Sequence, residues 1–187
     1  MGEILALEDK KIIIDLGQDV KMIDGSITVD IVDSADIQCD IAKGLPFEDN
    51  SVDVVVSNHF LEHINFNDGM FVLKEIYRVL VAGGNVTMAI PDLYSAIKLY
   101  FDKKITHATL VDQLYDKDNY GQRHLCHYDF ESLSSYMIAV GFKNVKRQFL
   151  GDGYLKEWMV YYKKYARNSM VVQSMLARTF QITGEKL

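Results

Sequence analysis

Short apolar runs, each closed by a polar residue, set the rhythm of the first third of the chain. Residues 11–16 are a β-branched run stopped by Gly17, which predicts a strand buried on both faces, as in a parallel sheet. Residues 26–30, 37–40 and 52–57 repeat this pattern, and each ends on the kind of polar side chain that a ligand crevice needs. In residues 68–80, Phe71, Leu73, Ile76, Tyr77 and Leu80 recur at helical spacing. That predicts a helix with Asp68 as its cap and Gly83-Gly84 past its end, followed by a fifth strand at 85–90.

A second helix is predicted over 129–140. Asp129 is its cap, Phe130, Leu133, Met137 and Val140 its apolar stripe, and Gly141 its stop. Strand-like residues follow at 142–150. Trp158, Tyr161, Tyr162 and Tyr165 fall at i, i+3, i+4 and i+7, an aromatic face for core packing on a helix that Asn168 should end before a final strand at 169–176. Residues 91–128 are mixed, with helical spacing around Leu93, Ile97 and Tyr100, and are assigned to a lid or substrate region. Strands alternating with helices predict an α/β fold with a parallel sheet and right-handed crossovers.

At 187 residues and 49% hydrophobic content, the chain is sized for a single domain over 1–187 with one buried core. Its net charge of −6 disfavours a surface that tracks nucleic-acid phosphates and favours a small-molecule substrate. Cys39 and Cys126 form no CxxC pair, so neither a zinc ribbon nor a disulfide framework is expected, in keeping with a reducing cytoplasm. No apolar run approaches a membrane span and no signal peptide is recognised, so no membrane association is expected. Oligomeric state is unreadable, and a homo-oligomer in which a second copy closes the cofactor edge stays open.

Within an α/β sheet a nucleoside cofactor lies across the carboxyl ends of the strands, where a glycine turn admits it and an acid accepts its ribose hydroxyls. Asp15-Leu16-Gly17 supplies the turn, Asp30 the ribose acid after the second strand, and Asp40 an acceptor for the adenine amino group after the third.

Several motifs then carry a family resemblance. The run GLPFEDNSVDVV at 44–55 resembles the LPFxDNSFDVV segment of class I S-adenosylmethionine-dependent methyltransferases. NHFLEHI at 58–64 is similar to that family's SHVLEHI, and LKEIYRVLVAGG at 73–84 to its LKEIYRVLKPGG. Pro91-Asp92-Leu93 and HYDFESLSSYMIAVGF at 127–142 also fit. The resemblance spans roughly residues 11–150. It implies a Rossmann-like three-layer sandwich with a mostly parallel seven-stranded sheet, an antiparallel last strand, and S-adenosylmethionine as cofactor. By analogy Asp15, Gly17, Asp30, Ile31, Asp40, Ile41 and Asn58 touch that cofactor.

One departure from the family pattern is Asp19, which stands where the glycine loop has its second glycine. A carboxylate there repels the cofactor's carboxyl group or pairs with its ammonium. A second function class follows: a methyltransferase-like domain with a weakened or lost cofactor site, acting as a binding or scaffolding module. A nicotinamide oxidoreductase is disfavoured, because GxGxxG is missing after the first strand.

Methyl transfer needs an oriented nucleophile and, for a hydroxyl acceptor, a base. His124 and His127 are the leading candidates and His63 the next, against the alternative that all three are structural. His59 and His63 match only half of a zinc-protease pattern, and the segment His124-Leu125-Cys126-His127 reads as loop structure, so no metal is expected.

Overall fold

A computed structural model describes residues 11–18, 21, 23–115, 123–148 and 179–187. Its frame is one seven-stranded sheet in the order β3-β2-β1-β4-β5-β7-β6. The strands are β1 (Ile13–Leu16), β2 (Ile27–Asp30), β3 (Ile37–Gln38), β4 (Val52–Asn58), β5 (Leu80–Pro91), β6 (Lys143–Gln148) and β7 (Thr179–Glu185). The pairs from β3 through β5 are parallel. Strand β7 runs antiparallel to both its neighbours, β5 and β6. The mostly parallel sheet and its antiparallel last strand therefore stand as expected. The antiparallel strand begins at Thr179; the span 169–176 and the aromatic stripe at 158–165 lie outside the described residues, as does Asp19.

Among the described residues, four α-helices accompany the strands: α1 (Phe66–Val79), α2 (Leu93–Phe101), α3 (His107–Tyr115) and α4 (Phe130–Val140). Strict alternation of strands with helices is not what forms. Among the described residues, no helix lies between β1 and β2 or between β2 and β3. The second gap spans only residues 31–36, too few for two helical turns. The crossover that does form a helix is β4-α1-β5.

Helix α1 starts earlier than its apolar pattern suggested. Asn65, not Asp68, is the cap: its side-chain oxygen accepts from the Asp68 amide at 3.1 Å, which satisfies an amide that the helix itself leaves orphaned. The buried stripe is Gly69, Val72, Leu73, Ile76 and Val79, while Phe71 faces solvent. Gly83-Gly84 do not end the helix, because the chain passes directly from Val79 into β5. Both glycines lie where the β4–β5 register slips between the pairs Val52–Leu80 and Val54–Asn85. A Cβ on Gly84 would come to 2.9 Å from the Val81 carbonyl oxygen and 3.0 Å from that of Asp53, so the close backbone approach explains a glycine there.

Helix α4 forms as read. Asp129 accepts from the Ser132 amide at 2.8 Å, the Ser132 hydroxyl answers to the Asp129 amide, and Gly141 follows with φ 129°. Leu133 and Met137 of α4 join Val72, Leu73 and Ile76 of α1 and the strand residues Ile14, Leu16, Val55, Val86 and Ile182 in one core cluster. No helix among the described residues is long and apolar enough to cross a membrane.

Candidate functional site

Strand order places the site before any side chain is considered. From β1 the chain moves outward to β2 and β3, then returns to the other side of β1 as β4. The crevice at such a reversal, past the carboxyl ends of the strands, is where an α/β sheet holds a ligand. Leu16 pairs with Val29 on one side and Ser57 on the other. One residue further along, Gly17, Asp30 and Asn58 therefore share a rung at the mouth. The Gly17 amide donates to the Val29 carbonyl at 2.9 Å, and its φ of 70° is the left-handed turn that glycine adopts without strain.

The sequence-proposed cofactor residues occupy different depths on this rung. Asp15 is fully buried two residues below it, with the Ser26 hydroxyl donating to its carboxylate at 3.4 Å. Asp30 is half-buried at the end of β2, and its carboxylate accepts from the Val32 amide at 3.3 Å. Ile31 beside it is exposed. Asp40 caps the 3-10 turn Ile41–Lys43 through the Ala42 amide and pairs with Lys43 at 2.7 Å. Ile41 is buried in the core cluster. Asn58 is buried at the end of β4, and its carbonyl accepts from Gln18 Nε2 at 2.7 Å, tying the glycine turn to β4.

A nucleoside-bearing cofactor fits this donor set. A left-handed glycine gives close approach, a half-buried carboxylate lies beside it, and a second carboxylate follows β3. Phe60 narrows the same space, since a Cβ built on Gly17 would overlap its ring.

The second constellation follows β4 directly. Glu62 and His63 lie in a 3-10 turn, Leu61–His63, so His59 and His63 are not stacked on one helical face as an i, i+4 pair. His59 faces Glu62, with its Nδ1 3.1 Å from Oε1, and its Nε2 lies 3.1 Å from the Thr179 hydroxyl. The partner of His63 is instead His124, from 61 residues later, whose ring centroid is 5.0 Å away. Backbone bonds bring the two segments together: the amides of Leu125 and Cys126 both donate to the Glu62 carbonyl, at 2.7 and 3.1 Å. His127 sits at the edge, 6.2 Å from the His124 ring and 6.3 Å from that of Tyr115.

Glu62 is 1% exposed. Burial alone pushes its carboxyl up, but the hydrogen bond from His59 and the neighbouring His59, His63 and His124 outweigh it and hold the group below the ordinary carboxylate range. His124 is pushed down by burial, with Glu62 opposing. His127 is pushed down by burial and by His124. Glu62 Oε2 and His63 Nδ1 are buried without a hydrogen-bond partner among the described residues, a condition that costs about 1–3 kcal/mol per group.

Two further polar groups escaped the sequence reading as site residues. Glu62 carries a signal that was available, a charge set among Phe60, Leu61 and Ile64. Asp92, at the carboxyl end of β5, is buried and pairs with Arg147 at 2.6 Å, while the Arg147 guanidinium lies 5.6 Å from the Phe130 and Phe180 ring centroids. That pairing spans 55 residues and has no local signature.

Residues 15–88, from the buried acid of β1 to the middle of β5, match the family described as methyltransferase domain. The match covers less than half of the chain. No curated protein matches the chain. Among solved structures, a SAM-dependent methyltransferase from Methanosarcina mazei matches with TM-score 0.58 and 16% identity, over 97% of this chain and 94% of that one. One from Archaeoglobus fulgidus matches with TM-score 0.54 and 17% identity, over 94% and 86%. The phosphoethanolamine N-methyltransferase 2 of Haemonchus contortus, solved with phosphomonomethylethanolamine and S-adenosylhomocysteine, matches with TM-score 0.53 and 15% identity, over 94% of this chain and 49% of that one. At these identities the likeness is one of fold, and the sheet order and the methyltransferase domain agree on it.

Proposed function

We propose that this methyltransferase domain transfers a methyl group from S-adenosylmethionine to a small-molecule acceptor. The observation that carries the reading is the shared rung of Gly17, Asp30 and Asn58 at the reversal of strand order, inside the segment that matches the family. S-adenosylmethionine, when bound, supplies a methyl group on a sulfonium. Asp30 then accepts the ribose hydroxyls, Asp40 the adenine amino group, and Gly17, Ile31, Ile41 and Asn58 line the remainder. Asp15 acts from below, holding the end of β1 against Ser26.

Transfer to an oriented nucleophile draws most of its rate from proximity. Where the acceptor is a hydroxyl, its proton goes to the histidine cluster. His127 suits this role best, because burial and His124 keep it neutral near pH 7 and it stands at the edge of the cluster, whereas His63 and His124 face Glu62. The acidic net charge of −6 supports a small acceptor over a nucleic acid.

A second reading is a domain that has lost cofactor binding and serves as a binding module. The Phe60 ring pressed against Gly17 favours it. Calorimetric titration with S-adenosylmethionine and with S-adenosylhomocysteine separates the two. Saturable binding of either supports methyl transfer, and the absence of heat and of thermal shift at millimolar cofactor sinks it. A ligand at ~100 times its Kd adds ~2.7 kcal/mol of stability.

A further inference from the structure

We propose that Glu62, His63 and His124 form a binding site for one divalent transition-metal ion. Their ligand atoms, one per residue, all lie within 4.8 Å of one another. Two imidazoles and one carboxylate are a donor set suited to Zn²⁺ or to metals of similar size and softness, with at least one coordination position left open.

Three observations carry the assignment beyond proximity. First, Glu62 Oε2 and His63 Nδ1 are buried without a hydrogen-bond partner among the described residues; the carboxylate oxygen is an electron-pair donor, and Nδ1 is one in the tautomer that carries its proton on Nε2, so a cation satisfies both. Second, His124 Nδ1 lies 3.0 Å from the Gln113 carbonyl oxygen. A carbonyl only accepts, so Nδ1 carries the proton and Nε2 carries the lone pair. This is how ligating histidines are commonly oriented. Third, the carboxylate is oriented in its turn. His59 Nδ1 lies 3.1 Å from Glu62 Oε1 and its Nε2 lies 3.1 Å from the Thr179 hydroxyl, so the buried turn and β7 together set how Glu62 presents its second oxygen.

An ion here joins two segments far apart in sequence, the turn after β4 and the loop before α4. The backbone bonds from Leu125 and Cys126 to the Glu62 carbonyl already bring these together. The site would therefore hold the His124–His127 loop at the carboxyl end of β4, beside the crevice mouth.

The test uses the full chain without an affinity tag, stripped with chelator and titrated calorimetrically with Zn²⁺ and Co²⁺, with bound metal counted after dialysis and the Co²⁺ complex read by its visible absorption. The expected result is one equivalent per chain, with affinity lowered at least about tenfold in H124Q and in H63Q and unchanged in H107A, whose histidine is exposed on α3 away from the cluster. Circular dichroism of each variant confirms that it is folded. H124N serves if H124Q is not. Absence of saturable binding, or binding that survives both substitutions, overturns the proposal. S-adenosylmethionine is titrated separately into the stripped protein, so failure of the metal site and failure of the cofactor reading are read independently.

Discussion

Phe60 lies directly over Gly17, so that the ring fills the volume a side chain at position 17 would need. The glycine turn of β1 and the segment leaving β4 are thus fitted to each other. Gly17→Ala meets two obstacles: a left-handed φ costing about 1–2 kcal/mol and overpacking worth about 1–3 kcal/mol. Urea unfolding should show a loss within the sum of those ranges. In a Phe60→Ala background the overpacking part should disappear and the conformational part remain, an interaction that a double-mutant cycle isolates.

Asp30 is the carboxylate on the mouth rung. Asp30→Ala should raise the Kd for S-adenosylmethionine by about 10–100-fold, since a hydrogen bond to a charged group is worth about 1.5–3 kcal/mol. The variant should remain folded, because the position is only half-buried. Unchanged affinity by calorimetry would place the pocket elsewhere.

Arg78 holds the 44–49 loop to α1. Its guanidinium donates to Glu75, Asp49 and the carbonyls of Leu45 and Phe47 at 2.7–3.1 Å, while Glu75 accepts from the Leu45 amide at 2.9 Å. Arg78→Ala should cost about 2–3 kcal/mol through the acceptors it strands, and hydrogen exchange should show the Leu45 amide losing protection. Lysine should rescue only part of this, lacking the planar fork.

The same pair has a pH signature. Arg78 holds the Glu75 carboxyl below its ordinary value. A group with a depressed folded pKa contributes stability above the unfolded value, here about 4.5, that is lost as pH falls through the lower folded value. Stability should drop more steeply below that point in the native chain than in Arg78→Ala, as denaturant midpoints taken across the acid range would show.

Asp129 behaves similarly at the start of α4, where Ser132 lowers its carboxyl. Asp129→Ala should cost about 1 kcal/mol, and Asp129→Asn much less, since an amide oxygen still caps. The Asn variant should also lack the acid-side loss that Asp129 contributes.

The contrast between α4 and the histidine cluster separates what the chain states locally from what folding decides. Asp129, the Leu133–Met137 stripe and Gly141 announce α4 because cap, stripe and stop are all satisfied within one short stretch. The buried apolar runs announce β1 to β5 for the same reason, since burial on both faces is a property of a strand's own residues. Motif order from Gly44 onward carried the fold class with it.

Where a choice depends on a neighbour distant in sequence, the local pattern fails. Gly83-Gly84 look like a helix stop, yet they serve a register slip against β4. His63 seems to pair with His59 four residues before it, yet it faces His124 on another segment. Sequence alone determined the strands of the sheet and the polar residues that close them, because strand period and length are local. Only the tertiary structure decided that Glu62, His63 and His124 converge, because backbone bonds across 62 to 126 place them there, and no periodicity encodes that contact.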